Sequence, residues 1–382
     1  MKKTLLAAAL LAGFAGVAQA ETSVTLYGII DTGIGYNKIS GAKDGNAAKI
    51  ENGSRFGMIN GVQNGSRWGL RGSEDLGDGL RAVFTLESGF DSGNGKSGQS
   101  SRLFGRQATI GLASDSWGQL DFGRQTNIAS KYFGSIDPFG AGFGQANIGT
   151  AFSAANTQRY DNMVMYQTPS FSGFQFGIGY SFNADDTKDA QTGFRTADNT
   201  RAITTGLRYV NGPLNVAFSY DQLNRSNALK SGPGADDTTP RQYILGGSYD
   251  FEVVKLALAV SRPQNGWFAG PGVNGNSMLS DSYGKDYTNT FRKDFKANSY
   301  LVGLSAPIGG ASNVFGSWQM VDPKGDYAKD RDLKKMHVFS LGYTYDLSKR
   351  TNLYAYGSYS KNYALVEDLK STAIGVGLRH RF

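Results

Sequence analysis

Few side chains in this sequence could carry out a covalent reaction. There is no Cys, and the only histidines are His337 and His380. Thiolate nucleophiles, disulfides and Cys-based metal sites are therefore excluded. Acid–base or zinc chemistry built on histidine has almost nothing to draw on. What remains in quantity is fixed charge: 39 Lys and Arg against 32 Asp and Glu, a formal net charge of +7. Much of it sits at alternate positions of amphipathic runs. Arg67 and Arg71 share one parity, while Trp68 and Leu70 share the other. In the next run Arg81 and Glu87 oppose Ala82, Phe84 and Leu86. Arg159 and Asp161 oppose Val164 and Tyr166, and Arg208 and Asp221 obey the same rule. Charges held in rows like these change local ion concentration rather than make bonds. No catalytic residue, metal site or cofactor follows from them.

The elements that must position these charges are strands. Runs such as Val24, Leu26, Ile30, Ile34 and Tyr36, or Ile374, Val376, Leu378, His380 and Phe382, place mainly apolar residues on one parity over the length of a strand. That is the signature of a strand with one apolar face and one polar face. Sixteen such strands are expected, at 23–36, 60–72, 79–91, 101–113, 117–125, 159–168, 173–183, 199–210, 213–223, 240–251, 253–263, 296–306, 311–321, 334–346, 350–361 and 371–382. Short connections alternate with long polar, Gly-rich ones, of which 126–158 and 264–295 are the longest. Strand length, an even count and aromatics near strand ends fit an all-β, 16-stranded antiparallel transmembrane barrel. A soluble sandwich also alternates, but it explains neither the loop pattern nor the aromatics on one parity. The apolar parity then faces lipid and the polar parity lines an aqueous lumen.

Composition agrees. The 52 Gly are about twice the usual share of roughly 7%, and the mean hydropathy of −0.36 is too polar for a bundle of membrane helices. Residues 1–20 carry Lys2 and Lys3, an apolar stretch and Ala18-Gln19-Ala20, and so read as a cleaved signal peptide rather than a membrane anchor. Residues 21–382 then form one exported barrel domain, and loss of the two lysines lowers the charge from +7 to +5. A GKS triplet at 95–97 lacks the glycine a phosphate loop needs, because position 90 is Phe90. The acids of 322–332 are interrupted by lysines and lack the last ligand of a calcium loop. The arginines are dispersed along strand faces, so no nucleic-acid partner is expected.

The connection at 126–158 is unusual. Its only charges are Lys131 and Asp137, and it carries Phe133, Phe139, Phe143 and Phe152. A loop of that composition fits packing inside the barrel, where it narrows the channel. Packing against a neighbouring subunit is the alternative.

Several segments together resemble the trimeric general porins of Gram-negative outer membranes, in particular the betaproteobacterial type. They are ETSVTLYGIIDTG, SRWGLRGSEDLGDGLRAVFTLESGF, RLFGRQATIGL, LDFGRQ, YDLSKRTNLYAYGSY and the terminal VGLRHRF. The resemblance spans essentially the whole mature chain. It implies a homotrimer of barrels in the outer membrane with the third loop folded into each lumen. Its partners would be lipid and lipopolysaccharide, the barrel-assembly machinery, and small hydrophilic solutes and anions. It also implies a constriction with Arg67, Arg106 and Arg159 on the wall, Arg124 as a fourth member, and Asp137 as the facing loop acid. Arg71, Arg81, Glu87 and Asp161 line the rest of the wall, and Phe382 ends the membrane-insertion signal. Parity supports Arg67 and Arg159; Arg106 falls in step with Ala108 and Ile110 and needs a bulge or strand end to turn inward. The second loop acid common in the family is missing, since Phe139, Gly140 and Ala141 occupy its place. The expected function is passive diffusion of small hydrophilic solutes and ions with weak to moderate anion preference, and no enzymatic activity. The alternative is a plugged barrel that acts as an adhesin through its long loops.

Overall fold

The computed structural model describes residues 23–41, 52–184, 199–226, 238–268 and 292–382. The expected signal peptide and most of the loop at 264–295 lie outside the described residues. The strands are β1 (Ser23–Ser40), β2 (Gly53–Asn60), β3 (Arg67–Gly77), β4 (Leu80–Gly89), β5 (Gln107–Ser114), β6 (Gly118–Thr126), β7 (Arg159–Gln167) and β8 (Phe174–Ser181). They continue with β9 (Arg201–Asn211), β10 (Leu214–Asn224), β11 (Arg241–Asp250), β12 (Lys255–Gln264), β13 (Lys296–Ile308), β14 (Ser312–Lys324), β15 (Met336–Asp346), β16 (Thr351–Lys361) and β17 (Lys370–Arg381). From β3 onward consecutive strands pair antiparallel, β2 and β3 both pair with β1, and β1 pairs with β17 to close the sheet. Closure leaves no edge, as a sheet immersed in lipid requires.

Seventeen segments fill sixteen strand positions. β1 pairs with β2 through Thr32–Ile39 and with β3 through Ser23–Ile29, both in one antiparallel direction. β2 and β3 are thus two halves of one strand, interrupted by 61–66. The expected strand at 60–72 missed this break. Its local signal is two glycines, Gly61 and Gly65, four residues apart inside an alternating run. The expected start of the strand at 101 is also too early, because Gln99, Ser100 and Ser101 all have positive φ and ordered pairing begins only at Gln107. Elsewhere the expected strands recur with small shifts of boundary.

The parity rule holds around the barrel. Val24, Leu26, Ile34, Ile110, Leu245, Leu341 and Val376 are exposed on the outward face. Ser219, Asp221, Gln242, Ser299 and Gln319, on the other parity, are buried on the inner side. Short connections sit at one end; in the tightest, Asp78 and Gly79 both have positive φ, as a type I′ turn demands.

The buried space inside is filled by the connection between β6 and β7. It begins with α1 (Ile128–Phe133), whose N-cap Asn127 accepts from Ser130 N and donates through Nδ2 to Asp221 at 2.7 Å. Ile128, Tyr132 and Phe133 are buried. Gly177 and Gly206 make room for them: a Cβ at Gly177 would lie 2.5 Å from Ile128, and one at Gly206 2.8 Å from it. Further on, Phe139 and Phe143 pack against Phe315, and Phe143 also packs against Tyr354 and Tyr356, at ring separations of 4.9–5.6 Å. Gln319 of the wall donates to the Ala146 and Asn147 carbonyls of this loop, and Gln145 of the loop reaches out to Ser358 and Ser371 on the wall. The loop therefore lies inside the barrel, fastened to opposite parts of the wall.

Candidate functional site: an arginine-lined constriction

A cavity of about 600 Å³ lies between the wall and this loop. Arg67, Arg106 and Arg159 line it from the wall, with Gln99 beside them. The loop side is backbone and small residues, including Ser130, Gly140, Ala141, Gly142 and Asn147. Val62, Asn64 and Gly65, from the break between β2 and β3, complete the rim.

That break is a built feature. Asp31 on β1, fully buried, accepts from Asn64 N at 2.6 Å and from the Tyr354 hydroxyl at 2.7 Å. Its carbonyl accepts from Gly61 N and Ser66 Oγ. Arg379 Nη1 donates to Asn64 Oδ1, and Asn352 donates to Gln63. The segment so held turns into the lumen, where Val62 O accepts from Phe143 N of the loop. Gly142 sits so close to Gln63 that a Cβ there would be 2.0 Å from its carbonyl oxygen. Wall and loop thus grip each other beside the opening.

The three cavity arginines are the ones expected on the wall. Arg106 reaches the lumen because it precedes the first paired residue of β5, where strand parity no longer applies. Its Nε donates to Glu87 Oε1 at 2.7 Å, and Arg67 lies 3.8 Å from the same oxygen. Tyr27 donates to the other oxygen of Glu87. Arg159 donates to Thr157 O at 3.2 Å and has no carboxylate partner among the described residues.

Other expectations are corrected. Asp137 does not face the arginines. It is 5% exposed and does not line the cavity. Its oxygens accept from the backbone N–H groups of Phe139, Ala141 and Ile148 at 2.9–3.1 Å, so it organises its own loop. Burial pushes its carboxyl up to about 6, against the opposing pull of those three donors. Arg124 does not line the cavity either. A register shift between Gly123 and Gln125 takes it out of step, and it pairs with Asp161 at 2.6 Å. Asp161 also pairs with Arg102 at 2.6 Å, so that acid is committed as well and does not line the cavity. Arg102 was not singled out by pattern, since it lies in the stretch expected to be strand. Arg81 bonds Asp115 in the next turn at 2.7 Å, so it stands at the short-turn rim rather than on the lumen wall. Arg71 lies over the Tyr27 ring, 5.4 Å from its centre, away from the cavity. Glu87, expected only as general wall, is the carboxylate of the constriction. Phe382 exchanges two backbone hydrogen bonds with Gly28, which adds the chain terminus to the closing seam.

Three arginines and one glutamate leave two positive charges uncompensated beside a narrow opening. The site offers no nucleophile–base pair. It offers an electrostatic bias: excess positive charge raises the local concentration of anions and lowers that of cations where low-dielectric walls focus the field.

A sequence profile described as Gram-negative porin matches residues 7–365. An outer membrane porin protein of Bordetella pertussis is 74% identical, with 100% of each chain covered. Outer membrane porin protein 32 of Delftia acidovorans is 33% identical, again over 100% of each chain. Among solved structures, an anion-selective porin from Comamonas acidovorans superposes with a TM-score of 0.71 at 30% identity, covering 94% of this chain and 100% of that one.

Proposed function

The chain belongs to the Gram-negative porin family of the outer membrane, and from that premise we propose that it is a passive diffusion channel for small hydrophilic solutes with a moderate preference for anions. The observation that carries the preference is the set of Arg67, Arg106 and Arg159 on one cavity, with Glu87 as the carboxylate that pairs with two of them. Arginine stays charged at any physiological pH, so the filter is always on. Screening at about 0.15 M salt acts over roughly 8 Å, which weakens the effect in wide parts of the lumen but not at the constriction. The anion selectivity named for the Comamonas acidovorans porin is consistent with this reading. Reconstitution in a planar bilayer under a KCl gradient tests it. A reversal potential of the sign that marks chloride as the more permeant ion is expected, and one of the opposite sign would overturn the proposal.

Three further elements belong to the same reading. The chain is processed after Ala20, which the mass of the outer-membrane form tests directly. The barrels assemble in threes, supported by exposed apolar side chains such as Phe56 and Met58 on an outward face; conductance rising in triplet steps is the expected result. The barrel inserts through its assembly machinery by way of the strand ending in Phe382 and lies among lipid and lipopolysaccharide; replacing Phe382 by Ser should leave the protein in the periplasm.

A further inference from the structure

Tyr27 on β1, Gly69 on β3 and Glu87 on β4 stand in one row across three strands, because Tyr27 pairs in register with Gly69 and Gly69 with Glu87. Tyr27 shares the inward parity of the buried Asp31, and residues in register point to the same face. The row is about 10 Å wide, two strand spacings, and the Tyr27 side chain crosses it. Its hydroxyl passes over Gly69 and donates to Glu87 Oε2 at 3.0 Å. The crossing depends on the side chain that Gly69 lacks, since a Cβ there would lie 2.9 Å from the Tyr27 hydroxyl oxygen. Arg67 and Arg71 flank Gly69 on the same face of β3, so the ring runs between two arginine side chains. Arg71 holds it from one side, with its guanidinium 5.4 Å from the ring centre.

The consequence falls on Glu87. Its other oxygen accepts from Arg106 Nε at 2.7 Å, while Arg67 Nη1 stays 3.8 Å away, outside hydrogen-bond range. Arg67 and Arg106 line the cavity; Glu87 and Tyr27 do not. The carboxylate is thus set back behind the guanidinium groups, with one oxygen on Arg106 and the other on Tyr27. Leaving an oxygen of a buried carboxylate unsatisfied is costly, so without the hydroxyl it would take the next donor within reach. That donor is Arg67, whose planar fork suits a carboxylate. An Arg67–Glu87 pair closed to hydrogen-bond distance would draw one cavity charge back to the wall and neutralise it.

We propose that Tyr27, seated over Gly69, is a positioning residue for anion preference: it occupies one oxygen of Glu87 and so keeps that carboxylate from closing on Arg67. The inference rests on the anion-preferring reading of the constriction and adds to it a residue that does not line the cavity.

The test is the reversal potential of the purified protein in a planar bilayer under a KCl gradient. Y27F keeps the ring and removes only the hydroxyl. Its anion preference should fall by up to roughly threefold, the worth of one unit charge about 7 Å away in water-like dielectric, and the potential should move toward potassium. In an E87Q background the same substitution should change nothing, because no carboxylate is left to close on Arg67. G69A keeps Tyr27 and every charge but crowds the hydroxyl off its path. It should shift the potential in the same direction as Y27F, and it covers the case in which Y27F does not fold. An unchanged potential in Y27F, a shift toward chloride, or an equal shift with and without Glu87 would each overturn the role of Tyr27. Cation selectivity in the unaltered protein would instead overturn the reading of the constriction itself, so the two failures are distinguishable.

Discussion

Arg106 Nε donates to Glu87 Oε1 at 2.7 Å, so the carboxylate that balances the constriction stands on the same wall as the arginines rather than across from them. The far side is loop backbone. The field at the opening is therefore that of a partly neutralised cation cluster, and each member's share of the selectivity can be separated by substitution.

Glu87→Gln removes the negative charge that pairs with Arg67 and Arg106. A unit charge about 7 Å away in water-like dielectric is worth about 0.6 kcal/mol, or a roughly threefold change in local ion concentration. Anion preference should rise by about that factor, seen as a reversal potential displaced further toward chloride. A shift toward potassium would contradict the assignment of Glu87.

Arg159→Gln should do the reverse, lowering anion preference roughly threefold, because Arg159 lines the cavity with no carboxylate partner. Arg124→Gln should leave the reversal potential where it is. It should instead lower stability by about 1–3 kcal/mol, since it weakens the pairing of a buried Asp161. Equal effects of the two substitutions on selectivity would refute the division between them.

Asp137 predicts a pH dependence. Burial raises its carboxyl from the ordinary 3.8 to about 6. The folded state then holds a proton that the unfolded state has lost across that interval, so this group favours folding least at high pH. Its contribution is greatest below about pH 4, falls by up to roughly 3 kcal/mol as pH rises to about 6, and is level above that. Asp137→Asn cannot titrate. Melting curves of the two proteins in detergent should therefore diverge in slope between pH 4 and 6; parallel curves across that window would rule the effect out.

Phe143→Ala removes the ring that joins Phe139, Phe315, Tyr354 and Tyr356. Truncating a buried Phe costs about 3–5 kcal/mol. Most of it should appear as loosening of the loop, because the strands keep their ladder. Single-channel records should show larger, noisier conductance, with strand content by circular dichroism unchanged. A quiet channel of unaltered conductance would mean the ring cluster does not hold the loop.

Period-two alternation in the sequence was enough to specify the strands, the lipid-facing parity and the alternation of loop lengths, because the side-chain period of a strand is two wherever it occurs. The low charge and the phenylalanines of 126–158 were enough to predict a loop packed inside. Parity also assigned Arg67 and Arg159 to the lumen. It does not specify height or neighbours, which depend on the stagger between strands and on bulges. The tertiary structure alone decided that Arg124 falls out of step at Gly123, that Arg106 enters at a strand end and that Glu87 lies beneath it. It also decided the part played by Asp137. Composition marked it as the loop's single acid, yet whether such an acid faces a pore or its own backbone depends on where three N–H groups come to rest. The fold brings those of Phe139, Ala141 and Ile148 onto its oxygens, and a carboxylate that already accepts three hydrogen bonds is held within its loop.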